Sequence, residues 1–226
     1  MKKFLSVLTI LVLILTLFTT QVYAHEIHNG APVRIQDRNS QGGPSLHVYY
    51  KLLRNTGAPT HYYDCAIDAI DAWSGFANVT DDGCNQLAPT NMNISIKYSQ
   101  TIWDQLGIPS TVMGMTWSVD TNGNDLLIED DFINSTGIID YSIIYLNPTG
   151  NIFSYGTTDT TIITNRIQKT IVHEMGHAMG LGHSDREDYD PISSLTRSVM
   201  RQGAPDIVNS GIVPQTHERR DLNRFY

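Results

Sequence analysis

The chain has 226 residues, a formal net charge of −8, 41% hydrophobic residues and two cysteines. An acidic balance of this size excludes nucleic acid and anionic membrane surfaces as evident partners, since both repel a negative protein. Length and apolar content together suit one domain with a sizeable core rather than a string of modules.

The first 24 residues read as a secretory signal: Lys2 and Lys3, an apolar stretch from Phe4 to Phe18, and small-residue cleavage signals ending at Val22-Tyr23-Ala24. Ser6, Thr9 and Thr16 interrupt the apolar run, which falls short of the roughly 20 residues a membrane-spanning helix needs. The mature chain is therefore expected to begin at His25 and to act outside the cell. Residues 25–43 are polar with Gly and Pro and form an arm or short leader, and residues 44–226 form the folded domain. In an exported chain an even cysteine count suggests a disulfide. A Cys65–Cys84 bridge would contribute roughly 3 kcal/mol on the chain-entropy model, with two free thiols as the alternative.

Along that domain, Leu46, Val48, Tyr50 and Leu52 alternate with polar residues and predict a strand. After Pro59, a helix beginning at Thr60 or Asp64 carries Ala66, Ile67, Ile70, Trp73 and Ala77 at helical spacing, with Asp64, Asp68 and Asp71 largely opposite. Trp73 is read as a core anchor. Alternation marks further strands at Ile94–Tyr98 and Met113–Val119, and the apolar run Ile143–Leu146 marks another. Between them, Asp120, Asn122, Asn124 and Asp131 fall at the offsets of a calcium loop, although Thr121-Asn122-Gly123-Asn124 is equally a hairpin turn. Residues 151–158 form a Gly/Thr/Ser-rich loop expected near the functional site. The long helix that follows starts at Asp159 or Thr160 and runs to about Gly180. One of its stripes is apolar, with Ile163, Ile167, Ile171, Met175 and Ala178, and another carries Arg166, Thr170, His173 and His177. A polar excursion from Ser184 to Pro191 reads as a solvated loop, and Thr216 caps a last helix docked by Leu222 and Phe225.

The chemistry sits in HEMGHAMGLGH, residues 173–183. Residues four apart on a helix lie one turn above each other, so His173 and His177 can bind one ion. His183 is the natural third ligand, provided the chain turns back, and Gly180 is the residue type that can take the left-handed conformation this needs. Glu174 adjoins the first ligand, where it can accept a proton from a zinc-bound water as general base. A helix can carry two such histidines with no metal at all. Five fixed positions, however, recur by accident in only about one chain in ten thousand.

This HExxHxxGxxH pattern, with Met200 downstream, resembles the signature of the metzincin metalloproteases and their methionine turn. The order of elements is similar to a small bacterial matrixin-type catalytic domain. The resemblance implies an α+β fold in which a twisted mixed sheet carries a long active-site helix, a second packing helix and a C-terminal helix. It also implies that residues 44–226 are a zinc metalloprotease catalytic domain, acting as a monomer on protein or peptide substrates. By the same analogy, Tyr141–Leu146 would be the edge strand to which a substrate peptide adds. Matrixin-like domains often bind structural calcium as well. Two departures stand out: residues 25–43 lack the cysteine of an animal-type inhibitory propeptide, and Gln202 stands where some metzincins carry an extra tyrosine ligand. Three protein ligands are therefore expected. The rival from another class is a secreted binding protein in which zinc is a structural staple, with Asp185 sealing the fourth position.

Overall fold

The computed structural model describes residues 34–35, 47–52, 60–73, 78–81, 94–120, 122–123, 125–126, 138–148, 152–181, 199–200, 213–214 and 218. Within them lies one mixed sheet: β1 Arg34–Ile35, β2 His47–Leu52, β3 Asn78–Asp81, β4 Ile94–Tyr98, β5 Gly114–Asp120, β6 Asp125–Leu126 and β7 Ile138–Leu146. The helices are α1 Thr60–Trp73, α2 Gln100–Gln105 and α3 Thr160–Ala178. The α+β class expected from the sequence is the class observed.

The strand order is β3-β2-β4-β7-β5-β6, and β1 pairs with the start of β7. The pairs β2–β3, β2–β4, β4–β7 and β1–β7 are parallel, whereas β5 runs antiparallel to both β7 and β6. β7 occupies the middle because it is buried on both faces: Ile139, Ser142, Ile144, Tyr145 and Leu146 are all buried, as the near-continuous apolar run of an interior parallel strand requires. This corrects the expectation for Tyr141–Leu146. Those residues pair with β4 on one side and β5 on the other, so they are not an edge. The outer position falls to β5, whose far side is covered by β6 only at Ser118 and Val119.

Helix α1 buries Tyr62, Cys65, Ala66, Ala69, Ile70 and Trp73 and leaves Asp64, Asp68 and Asp71 exposed, in accord with its apolar spacing. It lies against α3, and the Trp73 indole N–H donates to the Val172 carbonyl at 3.1 Å. Cys65 faces the same seam. It is a free, buried thiol whose Sγ reaches the Thr164 carbonyl at 3.6 Å, so the expected bridge is not made. Cys84 lies outside the described residues.

Helix α3 begins where its chemistry predicts. Asp159 is the N-cap and accepts from the Thr161 N–H at 2.8 Å. Ile167, Ile171, Met175 and Ala178 are fully buried, and each of the three larger side chains contributes about 1.5–3 kcal/mol through burial. Residues 152–158 are strapped to the N-terminal half of this helix. Arg166 Nη1 donates to the carbonyls of Phe153 and Tyr155 at 2.9 and 2.8 Å, about two turns before His173. Among the described residues no helix is long and apolar enough to cross a membrane. The signal segment and the acidic excursion lie outside the described residues; of the leader, Arg34–Ile35 alone is described, and it forms β1 rather than a free arm. Of the C-terminal segment from Pro214 onward, only Pro214 and Glu218 are described, the latter in helical conformation.

Candidate active site

The site is built at the C-terminal end of α3. His173 and His177 stand one turn apart with their rings nearly perpendicular, at 87°, and their centroids 4.7 Å apart. Each ring is fixed through its Nδ1. That of His177 lies 2.7 Å from the Leu181 carbonyl, and that of His173 lies 2.6 Å from the Val199 carbonyl. A carbonyl oxygen only accepts, so both Nδ1 atoms carry the proton and, in neutral rings, both Nε2 atoms are left as lone pairs. Those two Nε2 atoms are 3.0 Å apart. Two lone pairs at that separation repel unless a cation or a proton lies between them.

This donor set fits a zinc ion. Nitrogen ligands about 2.0–2.1 Å from a tetrahedral ion sit roughly 3.3 Å from each other, close to the spacing found. Backbone carbonyls on the far nitrogens are the usual means of fixing a ligand imidazole's tautomer. Among the described residues no group of three or more His, Cys, Asp or Glu is arranged so that it could hold a metal ion. His183, the expected third ligand, lies outside them, as does Asp185.

The turn toward His183 is described as far as Leu181. Gly180 has φ +92°, the left-handed conformation that a Cβ disfavours. The Gly180 N–H donates to the His177 carbonyl at 2.8 Å and the Leu181 N–H to the Gly176 carbonyl at 2.9 Å, the paired bonds of a Schellman cap. The same cap brings the Leu181 carbonyl under the His177 ring.

Glu174 is 6% exposed. The Thr116 hydroxyl on β5 lies 2.7 Å from Glu174 Oε2 and 2.9 Å from the Glu174 carbonyl. Its one proton serves either acceptor. The contact exists because even-numbered residues of β5 face α3: Ser118 bonds Ser142 of β7 at 2.7 Å on that same buried side. Odd-numbered residues face away. Trp117, Val119, Tyr141, Ile143 and Tyr145 line a hollow of about 550 Å³ on the opposite face of the sheet.

Beneath the helix, Met200 is fully buried against Gly176. A Cβ at Gly176 would overlap Met200 Sδ and come within 2.9 Å of its Cε, so any larger residue here has to displace the end of the buried Met200 side chain. Met200, expected downstream of the histidines, thus packs on α3 at Gly176, between the positions of the two imidazoles. Of the candidate calcium loop, Asp120, Asn122 and Gly123 are described. Asp120 accepts from the Asn122 N–H at 2.8 Å and its carbonyl from the Gly123 N–H at 3.0 Å, which makes the segment the turn of the β5–β6 hairpin. Asn124 and Asp131 lie outside the described residues.

Of the residues singled out in the sequence, the structure brings His173, His177, Glu174, Gly180 and Met200 together at one end of α3, and it adds Thr116, Gly176 and Glu218, which the sequence did not single out. Thr116 left one signal, a hydroxyl at a core-facing position of an otherwise apolar strand. Backbone carbonyls that orient rings leave none.

A family model described as Peptidase M66 matches residues 87–193, a stretch holding β4 to β7, α3, both described imidazoles, Glu174 and His183. This likeness supports a peptidase, a hydrolase acting on protein or peptide substrates. No curated protein matches the chain.

Proposed function

We propose that the chain is a secreted, monomeric zinc endopeptidase of metzincin type, similar to a small matrixin-type catalytic domain. The observation that carries this reading is the pair of Nε2 atoms 3.0 Å apart, both Nδ1 atoms committed to carbonyls, with a buried carboxylate on the adjoining residue. His173, His177 and His183 would hold the ion. When bound, zinc polarises the scissile carbonyl and brings the pKa of water toward neutrality.

The chain's own residues do the rest. Glu174 accepts the proton of the attacking water and passes it to the leaving amine as the C–N bond breaks. Thr116 holds Oε2, which fixes the carboxylate's rotamer against β5. Substrate peptide would lie along the outer edge of Gly114–Trp117, which among the described residues no other strand covers, and would pair with it through backbone hydrogen bonds.

Cleavage of denatured casein or gelatin tests the reading. Activity should vanish with a chelator, return with zinc, and fall by about 10²–10⁴-fold in Glu174→Gln while zinc stays bound. A Glu174→Gln chain that binds zinc and cleaves like wild type would remove Glu174 as the base. A wild-type chain that binds zinc and cleaves nothing would leave the structural-staple reading in its place.

A further inference from the structure

Glu218 is a fully buried carboxylate that no step of the proposed hydrolysis uses. It comes from the C-terminal segment, and its Oε1 accepts from the Val199 N–H at 2.7 Å. Val199 in turn offers its carbonyl to His173 Nδ1 at 2.6 Å. One residue of the methionine turn is thus gripped through its N–H by a carboxylate and uses its C=O to aim an imidazole. A charged acceptor makes a shorter and roughly twice stronger hydrogen bond than a neutral one, and a buried carboxylate that lost this donor would be costly. Removing the carboxylate instead orphans the Val199 N–H, which is itself buried.

We infer that Glu218 is a positioning residue for the metal site: it fixes Val199 so that the Val199 carbonyl holds His173 in the tautomer and orientation that present Nε2 to the ion. This rests on the zinc reading above. It also makes a selective claim. His177 takes its orientation from Leu181, four residues away on its own helix cap, so a defect at position 218 reaches His173 and spares His177.

Co(II) and Zn(II) titrations of the full chain against a competing chelator test both layers. If wild type fails to take up one equivalent of Co(II) with the visible bands of a low-coordinate nitrogen site, the zinc reading falls and this inference with it. If wild type binds, Glu218→Ala should bind about 10–100-fold more weakly, the usual effect of losing a partner behind a ligand. Glu218→Gln keeps an acceptor oxygen and should stay within about threefold of wild type, because one neutral hydrogen bond still holds Val199. A folded Glu218→Ala chain with wild-type affinity overturns the inference, as does an equal loss in both variants. Should Glu218→Ala not fold, histidine-ring nitrogen NMR of zinc-loaded Glu218→Gln decides. The His173 signals should shift and those of His177 should not. Equal movement of both rings, or of neither, overturns it.

Discussion

The two imidazoles are one helical turn apart, yet they are held by different kinds of structure. His177 is aimed by a carbonyl four residues on, inside a helix cap whose bonds all lie between Met175 and Leu181. His173 is aimed by a carbonyl 26 residues on, in a turn that is itself fixed by a buried carboxylate from the end of the chain and by the packing of Met200 beneath Gly176. One imidazole is set by local sequence. The other reaches this geometry only when the tertiary fold is complete, which in the proposed zinc site would tie metal affinity to the integrity of the C-terminal part of the chain.

Gly176→Ala loads the long-range half and should have the largest effect. The new methyl overlaps a buried Met200, and overpacking of this kind costs up to about 3 kcal/mol. Alanine contributes at most about 1 kcal/mol in the other direction through helix propensity. A net loss of about 2 kcal/mol is expected in urea unfolding, with weakened zinc binding because Val199 moves with Met200. Unchanged stability together with unchanged zinc affinity would mean that the methionine turn does not support His173.

The same contrast separates what the amino-acid sequence makes legible from what it hides. The helix from Asp159 to Gly180, its two stripes and its left-handed end follow from spacing, a capping aspartate and a glycine, all local signals, and the fold bears them out. The sheet was legible as strands but not as an order. The run Ile143–Leu146 is apolar whether it is central or at an edge, and only pairing with both β4 and β5 decides. Short elements such as β1, β3, β6 and α2 carry too few periodic residues to announce themselves. Thr116 and Glu218 could not be assigned from sequence, because each acts on a residue more than 15 positions away.

Thr116→Val leaves both ligands alone and acts on the base between them. Loss of the hydroxyl frees the Glu174 carboxylate to leave the productive rotamer, so kcat should fall about tenfold, corresponding to a barrier change of about 1.4 kcal/mol. Zinc affinity should remain within about twofold, since this change reaches neither supporting carbonyl. A loss of zinc with retained kcat would reverse the assignment. Gly180→Ala then probes the local half. At φ +92° a Cβ costs about 1–2 kcal/mol, but the Schellman bonds can keep the turn under strain. Stability should drop by about 1 kcal/mol, and any change in the histidine-ring NMR signals should be confined to His177, the mirror image of the Glu218 outcome. A change at His173 alone would undo the division into a local and a long-range ligand.

The smallest effect lies farthest from the imidazoles, in the seam of α1 and α3. Burial, helped by Asp68 and Asp64, pushes the Cys65 thiol up from 9.0 to about 11. The folded chain therefore keeps the proton where the unfolded chain releases it. The linked stability is fully present below pH 9.0 and is lost as pH rises toward about 11. Tyr62, raised in the same direction by burial, adds a loss that begins only above 10.0. Wild type should consequently lose stability faster than Cys65→Ala across the window from 9.0 to about 11, as read by urea midpoints at stepped pH. The difference should be the same with zinc and with chelator, because Cys65 meets the helix at Thr164, nine residues before the first imidazole. Parallel curves for the two proteins would place the thiol in water. A difference that grows when zinc is added would mean that this seam, and not only the C-terminal turn, sets how His173 is held.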